Sequence, residues 1–359
     1  MKKIGILNFH FCDNYGAVLQ CYALKYTINK LDGCYAEVIN FNPNWKPSSF
    51  ENEIIKNKYI SKLDKYEKFR EKYLEIESDF IYDMTSDKCP KFDYYIVGSD
   101  QVWNTTFSFS NTAYFLDFVE DNSVKISYAA SIGIGLEDKR LNPKIFEKYI
   151  PNFNYLSIRE KTHEAFVQQF TEKKVHTVLD PTLLLEKEEY DKLIDNTKSE
   201  KEKDKYIFFY FLNHDKTAPL AISFVNMLAR KYNLKVIHFF TEAPKGLFKN
   251  NSDSFFFDGP IDFLWYIKNA EIIVTNSFHG TIFSILYQKP FYTYIVKSMS
   301  SRIYDLLENL GLKNRIISGF KKLRDVDFNI DYTEVNKKIK FSREYSLNFL
   351  KKSLNIKKF

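Results

Sequence analysis

The pattern that most constrains the fold is a repeated alternation of short apolar runs with longer amphipathic stretches. The apolar runs cover residues 3–9, 36–41, 94–97, 125–130, 156–158, 176–179, 206–212, 235–240, 272–275 and 291–295. Helix-length stretches separate them, at residues 17–29, 54–73, 161–170, 219–232, 260–267 and 281–287. Strands that are apolar throughout and alternate with helices predict α/β architecture with parallel sheets covered on both faces.

A charge-dense segment at residues 186–205 interrupts this alternation and is typical of a domain boundary. A chain of 359 residues is long enough for two domains, each with its own core. We therefore predict two Rossmann-like domains facing a cleft, at residues 1–185 and 206–330, joined by the charged linker 186–205. Ligands bind beyond the carboxyl ends of the strands in open parallel sheets, so the loops after the strands are the candidate site.

The net charge of +6, from 52 basic and 46 acidic residues, is concentrated at one end of the chain. Residues 331–359 contain eight basic and three acidic residues, so the rest of the chain is nearly neutral. A neutral body with a basic tail does not favour nucleic-acid binding. We predict that 331–359 forms a basic amphipathic helix. Two alternatives stay open for it: packing back on the first domain, or contact with an anionic membrane.

Cysteine spacing and hydropathy indicate in which cellular compartment the protein resides. Cys12, Cys21, Cys34 and Cys89 form no CxxC pair and fit no zinc-binding spacing. We expect reduced thiols, no metal site and a cytoplasmic protein. The longest apolar run, residues 207–212, is much shorter than the ~20 residues of a membrane-spanning helix. The apolar run near the start is shorter than the ~7–15 residues of a signal sequence.

Two loops of the first half combine turn-forming and hydrogen-bonding residues after predicted strands. The loop Asn8–Gly16 precedes a helix and has neither a dinucleotide-binding nor a P-loop glycine pattern. The loop at 98–104 sets polar side chains beside a flat indole ring, which suits a polyol. The alternative for Trp103 is a purely packing role. The candidates for binding a sugar are Asn14, Tyr15, Gln20, Ser99, Gln101, Trp103 and Asn104, with Asp100 as a candidate base.

The later loops carry candidates for binding an anion. Arg159 follows a predicted strand and could hold a phosphate or carboxylate through two hydrogen bonds, or could instead pair with Glu160. His279 begins a predicted helix after the strand 272–275, where the helix dipole is positive. The remaining anion-binding candidates are Asn276, Ser277, Gly280, Thr281, Lys297 and Arg302.

Six segments in order resemble the polysaccharide pyruvyl transferase family. They are NYGAVLQCYAL (14–24), DYYIVGSDQVWN (93–104), ISYAASIG (126–133), SIRE (157–160), VLDPTLLL (178–185) and TNSFHGTIFSI (275–285). The resemblance spans residues 3–320. It implies a GT-B-like fold with the C-terminal helix crossing back to the first domain. It also implies transfer of pyruvate from phosphoenolpyruvate, a co-substrate, onto two hydroxyls of a hexose, with no further cofactor.

The resemblance further implies how the site is used. The acceptor would be a hexose, expected to be of galactose type and ketalised at its 4- and 6-hydroxyls, in a lipid-linked capsular or exopolysaccharide repeat at the inner face of the membrane. His279 would be the general acid. Family members often carry an arginine two residues before this histidine, where Ser277 stands here. Phosphate binding would then fall to Arg159, Lys297 or Arg302.

Two other functions stay open at this point. A nucleotide-sugar glycosyltransferase of the same fold would need a glutamate for the ribose near the fourth loop, and Glu308 is the nearest downstream. A non-catalytic glycan-binding protein is compatible with Ser277, whereas the presence of His279 and Arg159 argues against it.

Overall fold

The computed structural model describes residues 1–49, 53–107, 111–120, 122–194, 204–212, 217–240, 258–295, 300–319 and 321–356. The chain forms two compact units. The first comprises residues 1–48, 67–185 and 337–359, and the second comprises 49–66 and 186–336. The predicted boundary after residue 185 therefore coincides with a unit boundary. Residues 49–66, predicted to lie in the first domain, belong to the second unit.

The first unit contains a four-stranded parallel sheet in the order β2-β1-β3-β4. Its strands are β1 Lys2–Leu7, β2 Cys34–Val38, β3 Tyr94–Val97 and β4 Val124–Ser127. Its helices are α1 Tyr15–Asn29, α3 Pro143–Tyr149 and α4 Glu164–Gln168, while α2 Glu53–Phe69 extends from the second unit and ends in a π-helical turn, Arg70–Leu74. All four strands run in one direction, so their carboxyl ends lie at one edge.

Two short strands extend this edge. Strands β5 Leu156–Ile158 and β6 Val175–Thr177 pair in parallel with each other. Single bridges join Ile126 to Tyr155 and Ala130 to Ile158, which continues the order of strands beyond β4. The loops after β3, β4, β5 and β6 are thereby brought side by side.

Helix α10, Tyr332–Ser353, passes from the second unit into the first. Phe349, Leu350 and Leu354 pack in a buried cluster with β1 and β3 side chains such as Ile4 and Ile96. The Arg343 guanidinium donates to the carbonyls of Leu183 and Leu185. This packing confirms the expected crossing of the C-terminal helix to the first unit.

The second unit contains a five-stranded parallel sheet in the order β11-β10-β9-β7-β8. Its strands are β7 Tyr206–Phe211, β8 Lys235–Phe240, β9 Ile272–Thr275, β10 Phe291–Tyr294 and β11 Ile316–Ile317. Its helices are α5 Lys187–Asp191, α6 Ala218–Tyr232, α7 Pro260–Asn269, α8 Phe278–Leu286 and α9 Ser300–Leu310. Aromatic and β-branched side chains of β7 and β9, including Phe209 and Val274, form its core with α6.

Local sequence accounts for several helix starts. Asn14 caps α1 by accepting from the Ala17 amide at 3.2 Å, and Ser277 caps α8 by accepting from the Gly280 amide at 3.2 Å. Lys65 of α2 pairs with Asp258 and, at 3.1 Å, with Asp262, which holds 49–66 in the second unit. Part of the predicted linker 186–205 is helix α5. Within the described ranges, no helix combines the length and apolarity that crossing a membrane requires.

Candidate active site

Four loops of the first unit meet in one buried polar network at the carboxyl edge of its sheet. Ser99 follows β3, Ser131 follows β4, Arg159 and Glu160 follow β5, and Asp180 follows β6. All five residues are at most 8% exposed. Each of these four loops comes from a different segment of the chain, so the parallel sheet is what brings them together.

Arg159 is the centre of this network. Its Nη1 donates to Asp180 Oδ2 at 2.8 Å, and its Nε donates to Glu160 Oε1 at 3.1 Å. Ser99 Oγ also donates to Asp180 Oδ2, at 2.9 Å, and Ser131 Oγ donates to Glu160 Oε1, at 2.7 Å. The other oxygen of Asp180 accepts from the amide and hydroxyl of Thr182. The guanidinium thus has two buried carboxylates as its partners.

The charges in this network shift each other's ionisation. Burial opposes the charge on Glu160, but Arg159 and, to a smaller extent, His163 and Ser131 outweigh it and lower its pKa to about 2. Burial likewise opposes the charge on Arg159, while Glu160, Asp180 and Asp100 raise its pKa above the ordinary value. Arg159 and Glu160 are therefore charged over the whole physiological range.

Asp100 lies at the more exposed side of the network. Its side chain is 13% exposed, and Oδ1 is 3.9 Å from Arg159 Nη2. The backbone of Asp100 has φ +72°, a left-handed conformation that is uncommon outside glycine. Oδ1 accepts from the Gln101 amide at 2.9 Å, and the Asp100 carbonyl accepts from the Ser131 amide at 3.0 Å. These bonds hold the left-handed turn and fix the direction of the carboxylate.

Three of the predicted sugar contacts are fully buried, and for these the prediction needs correction. Trp103 stacks on Phe115 at 5.5 Å and donates from Nε1 to the Tyr114 carbonyl, so its ring belongs to the core. Ser99 is committed to Asp180. The Gln20 amide nitrogen donates to the Ala17 carbonyl at 2.9 Å. Each is 0% exposed, so each supports the loops from within.

The other predicted sugar contacts have distinct positions. Asn14 and Gln101 are half-buried, whereas Tyr15 and Asn104 are at most 5% exposed. Asn104 Nδ2 donates to Gln101 Oε1 at 3.0 Å, which orients the Gln101 amide. Gly133, at φ +74°, makes room for that amide, since a Cβ there would lie 2.2 Å from Gln101 Oε1. Asn14, Asp100 and Gln101 are thus the predicted polar residues that reach the surface of this unit.

In the second unit, the loop between β9 and α8 is held by neutral hydrogen bonds. The Asn276 side chain accepts from the Leu212 amide at 2.6 Å and donates to the Leu212 carbonyl at 2.7 Å, which ties the end of β9 to the end of β7. Ser277 is 3% exposed, and its amide donates to Thr275 Oγ1 at 3.0 Å. Ser277 therefore serves as the helix cap.

Gly280 and Thr281 fit α8 closely against the sheet. A Cβ on Gly280 would lie 2.6 Å from Thr275 Oγ1 and 3.1 Å from Tyr210 Cδ1. The Thr281 hydroxyl donates to the Ser277 carbonyl at 2.9 Å and lies 3.1 Å from Thr293 Oγ1. Both residues, predicted as contacts of an anion, act here in packing the helix onto β7, β9 and β10.

His279 is the second residue of α8 and is 6% exposed. Its imidazole is nearly perpendicular to the Phe278 ring, with the two ring centroids 5.2 Å apart. Arg302 is a half-buried residue in the first turn of α9, a helix that packs on α8. Lys297 lies outside the described residues. For Arg159 to bind an anion, the anion would have to replace a carboxylate partner or approach Nη2 beside Asp100.

Sequence reasoning missed Asp180 and Ser131 as parts of the site. It named Glu160 only as the alternative partner of Arg159, a pair that the structure contains. Asp180 and Ser131 occur inside segments that carried the family resemblance, VLDPTLLL and ISYAASIG, but no local pattern gave them a role. An aspartate before Pro-Thr after an apolar strand was the available signal, since it caps the short helical turn Pro181–Leu183. Among the described residues, no group of three or more histidines, cysteines or acidic residues could hold a metal ion.

The comparisons with known proteins agree with this architecture. The model of the family described as polysaccharide pyruvyl transferase matches residues 14–298. No curated protein matches the sequence significantly. The fold is similar to solved UDP-GlcNAc 2-epimerases from Rickettsia bellii (13% identity, TM-score 0.56) and Neisseria meningitidis (10%, TM-score 0.54, bound to UDP-GlcNAc), each aligned over 99% of this chain and 100% of the other.

A third similar structure, the MnaA–UDP complex of S. aureus, is 14% identical with a TM-score of 0.55, over 99% of this chain and 98% of that one. At these identities the similarity defines the fold, which is GT-B-like as predicted. The family match covers most of the chain and includes all six segments that carried the resemblance. The chain therefore belongs to the polysaccharide pyruvyl transferase family.

Proposed function

We propose that the protein transfers the pyruvyl group of phosphoenolpyruvate onto two hydroxyls of a hexose, forming a cyclic ketal and releasing phosphate. The observation that carries the proposal is the placement of His279 in the first turn of α8, directly after β9, in a chain of this family. In the first turn of a helix, the dipole favours an anionic donor.

The reaction needs one acid and one base. Protonation of the donor's methylene carbon makes its central carbon electrophilic, and a sugar hydroxyl adds to that carbon while losing its proton. The bond from the central carbon to the phosphate oxygen then breaks, and phosphate leaves with that electron pair. A second hydroxyl of the same sugar attacks the same carbon, passes its proton to the released phosphate and closes the ketal.

We assign the first proton transfer to His279 and the deprotonation of the sugar hydroxyl to Asp100. Asp100 suits this role because its carboxylate is partly exposed and its direction is fixed by the Gln101 amide. Asn14 and Gln101 are the proposed sugar contacts of the same unit. Arg302 and Lys297 are the proposed cations for the donor, since Ser277 replaces the family arginine and Arg159 is paired with carboxylates.

For the acceptor we propose a galactose-type hexose, ketalised at its 4- and 6-hydroxyls, in a lipid-linked capsular or exopolysaccharide repeat. That substrate would place the enzyme in the cytoplasm at the inner face of the membrane. The support for this finer assignment is membership of a family named for polysaccharide acceptors.

The test incubates the full chain with phosphoenolpyruvate and a panel of lipid-linked and free oligosaccharides. We expect phosphate release that depends on the acceptor, together with an acceptor that gains the mass of a pyruvyl ketal. Release of a nucleoside diphosphate from a nucleotide sugar, with no reaction of phosphoenolpyruvate, would replace this proposal with a glycosyltransferase. Glycan binding without turnover of either donor would indicate a non-catalytic protein.

A further inference from the structure

The outward face of α10 is unusual among the exposed surfaces of the first unit. Phe341 is 74% exposed and Tyr345 is 41% exposed. They are four residues apart on one helix, so their side chains are neighbours on its surface. The other large hydrophobic side chains exposed in the described part of the chain are single residues on separate elements: Met1, Ile60, Tyr82, Leu136, Tyr232 and Tyr304.

The opposite face of the same helix is already occupied. Val335, Ile339, Phe349 and Leu350 are buried, and Ser346 Oγ accepts from the Leu179 amide. Phe341 and Tyr345 therefore do not contribute to the core of the unit, and exposure of a phenylalanine carries a cost in water. One face of α10 therefore packs on the first unit, and the opposite face exposes the two rings.

Lysines surround the two rings. Positions 338, 341, 345, 348 and 352 recur at three- and four-residue steps and so lie along one face. From residue 337 to 352 the helix carries five lysines, four of them exposed, against one glutamate, Glu344. The one arginine of this stretch, Arg343, turns inward to the carbonyl of Leu183. The outward face is thus cationic as well as aromatic.

A cavity of about 620 Å³ opens beside the last turns of the same face. Its apolar part includes Phe349, Ile356 and the ring of Tyr345, and its cationic part is Lys351 and Lys352. The cavity is within the usual size range of ligand sites, ~300–1,000 Å³. It offers a ligand an apolar surface with positive charge beside it, which is the chemistry of an anionic lipid.

His176 forms one wall of this cavity, and nearby charges affect its pKa. Its Nδ1 lies 2.7 Å from the Tyr345 hydroxyl, which fixes the aromatic ring against β6. Partial burial lowers the pKa of His176, and the charges of Lys174 and Lys352 lower it further. Glu164, which opposes this shift, has its own partners in Lys161 and Thr177. The surroundings of the cavity are therefore net positive.

We propose that the outward face of α10 and the adjoining cavity form a docking surface for an anionic phospholipid bilayer. Phe341 and Tyr345 enter the headgroup region, the lysines lie near lipid phosphates, and the cavity receives one anionic lipid. Aromatic rings flanked by lysines on one face of a helix are typical of interfacial membrane binding. This inference does not rest on the proposed reaction, because it concerns binding alone.

The test measures binding of the full chain to sedimented vesicles of phosphatidylcholine, with or without 30% phosphatidylglycerol, in low and high salt. We expect binding only to the anionic vesicles, weakened by salt. Lys338→Gln with Lys352→Gln should weaken the partition about 30-fold, because each basic residue near the surface contributes about 1 kcal/mol. The matched control is Lys139→Gln with Lys144→Gln, which are exposed lysines away from α10 and should have little effect.

Two substitutions at Phe341 test the aromatic part of the surface. Phe341→Ser should weaken binding about tenfold while leaving the unfolding midpoint near that of the wild type, since the ring is 74% exposed. Phe341→Trp should retain binding. The tryptophan emission of this variant should shift to the blue on adding anionic vesicles, by more than that of the wild type. Tyr82→Trp, at another exposed aromatic residue, should show no such shift.

Four results would overturn the inference. The first is no binding to anionic vesicles, and the second is equal binding to neutral ones. The third is an equal loss in the Lys139/Lys144 control. The fourth is tighter binding to a short DNA duplex that the Lys338/Lys352 variant abolishes, which would assign the surface to nucleic acid. Because no donor or acceptor is present, none of these results depends on whether the protein transfers pyruvate.

Discussion

The strand-end loops of the two units are built by different chemistry. In the first unit, buried charges hold the loops: Arg159 joins Asp180 and Glu160, and two serine hydroxyls complete the network. In the second unit, the loop after β9 is held by the Asn276 side-chain amide, by the Ser277 hydroxyl and by the close packing of Gly280. Charge fixes one region, and close packing with neutral hydrogen bonds fixes the other.

This difference bears on how each region could serve a reaction. A buried ion network is costly to rearrange, because removing one partner leaves another charge unpaired. Its rigidity suits a unit that must hold Asp100 in a left-handed backbone conformation. The neutral region around α8 contains no fixed carboxylate among the residues described in its hydrogen-bond network, and an incoming anion would meet the positive end of the helix dipole.

The largest expected effect is on turnover, at His279. His279→Gln keeps a hydrogen-bonding side chain of similar size but cannot act as an acid near neutral pH. We expect kcat for phosphate release to fall by about 10²–10⁴ while the affinity for phosphoenolpyruvate changes little. His238→Gln is the control, because it also alters a buried histidine of this unit, on β8, which has no proposed role. Near-normal turnover with retained donor binding would remove His279 from the mechanism.

The second largest expected effect is on the stability of the charged region at low pH. Among its described residues, the neutral region has no such carboxylate network and should not show it. The pKa of Glu160 is lowered from 4.5 to about 2 in the folded state. A lowered carboxyl pKa contributes stability that is present above about pH 4.5 and is lost as the pH falls toward 2. A shift of this size corresponds to about 3 kcal/mol. Glu160→Gln should therefore lower the free energy of unfolding at pH 7 and flatten its decline below pH 4.5.

Urea unfolding of the wild type and of Glu160→Gln between pH 7 and pH 3 measures this effect. Glu172→Gln is the control, because Glu172 is an exposed carboxyl of the same unit. Parallel pH profiles for the wild type and Glu160→Gln would show that the Arg159 network is not what makes the first unit acid-sensitive. The comparison between the two regions would then lose its energetic basis.

The bounds of several strands could be predicted from the sequence. Strands β3, β5, β8 and β9 begin and end at the predicted residues. For β3 and β9 the reason is local, because Asp93 and Gly98 bound the first apolar run, and Glu271 and Asn276 bound the second. Helix α8 begins at Phe278, three residues before the predicted start, because Ser277 caps it. The capping signal was present in the sequence, but hydrophobic periodicity alone does not locate it.

Other features depend on contacts between distant residues and have no local signal. Asp180 meets Ser99 across 81 positions of the chain, and Lys65 meets Asp258 across 193. The first contact decides that Ser99 supports a loop instead of facing a sugar. The second assigns residues 49–66 to the second unit. Burial of Trp103 likewise follows from Phe115 and Phe153 packing on its ring, which composition could not indicate.

The smallest of these effects tests the neutral region. Gly280→Ala places a Cβ 2.6 Å from Thr275 Oγ1, and that hydroxyl cannot move away without losing its bond to the Ser277 amide. We expect a loss of about 1–3 kcal/mol in the free energy of unfolding, as for other overpacked sites. Gly319→Ala is the matched control, because no atom of the described residues lies within 4 Å of its Cβ position. If Gly280→Ala were as stable as that control, α8 could shift on the sheet, and close packing would not be what holds His279 in place.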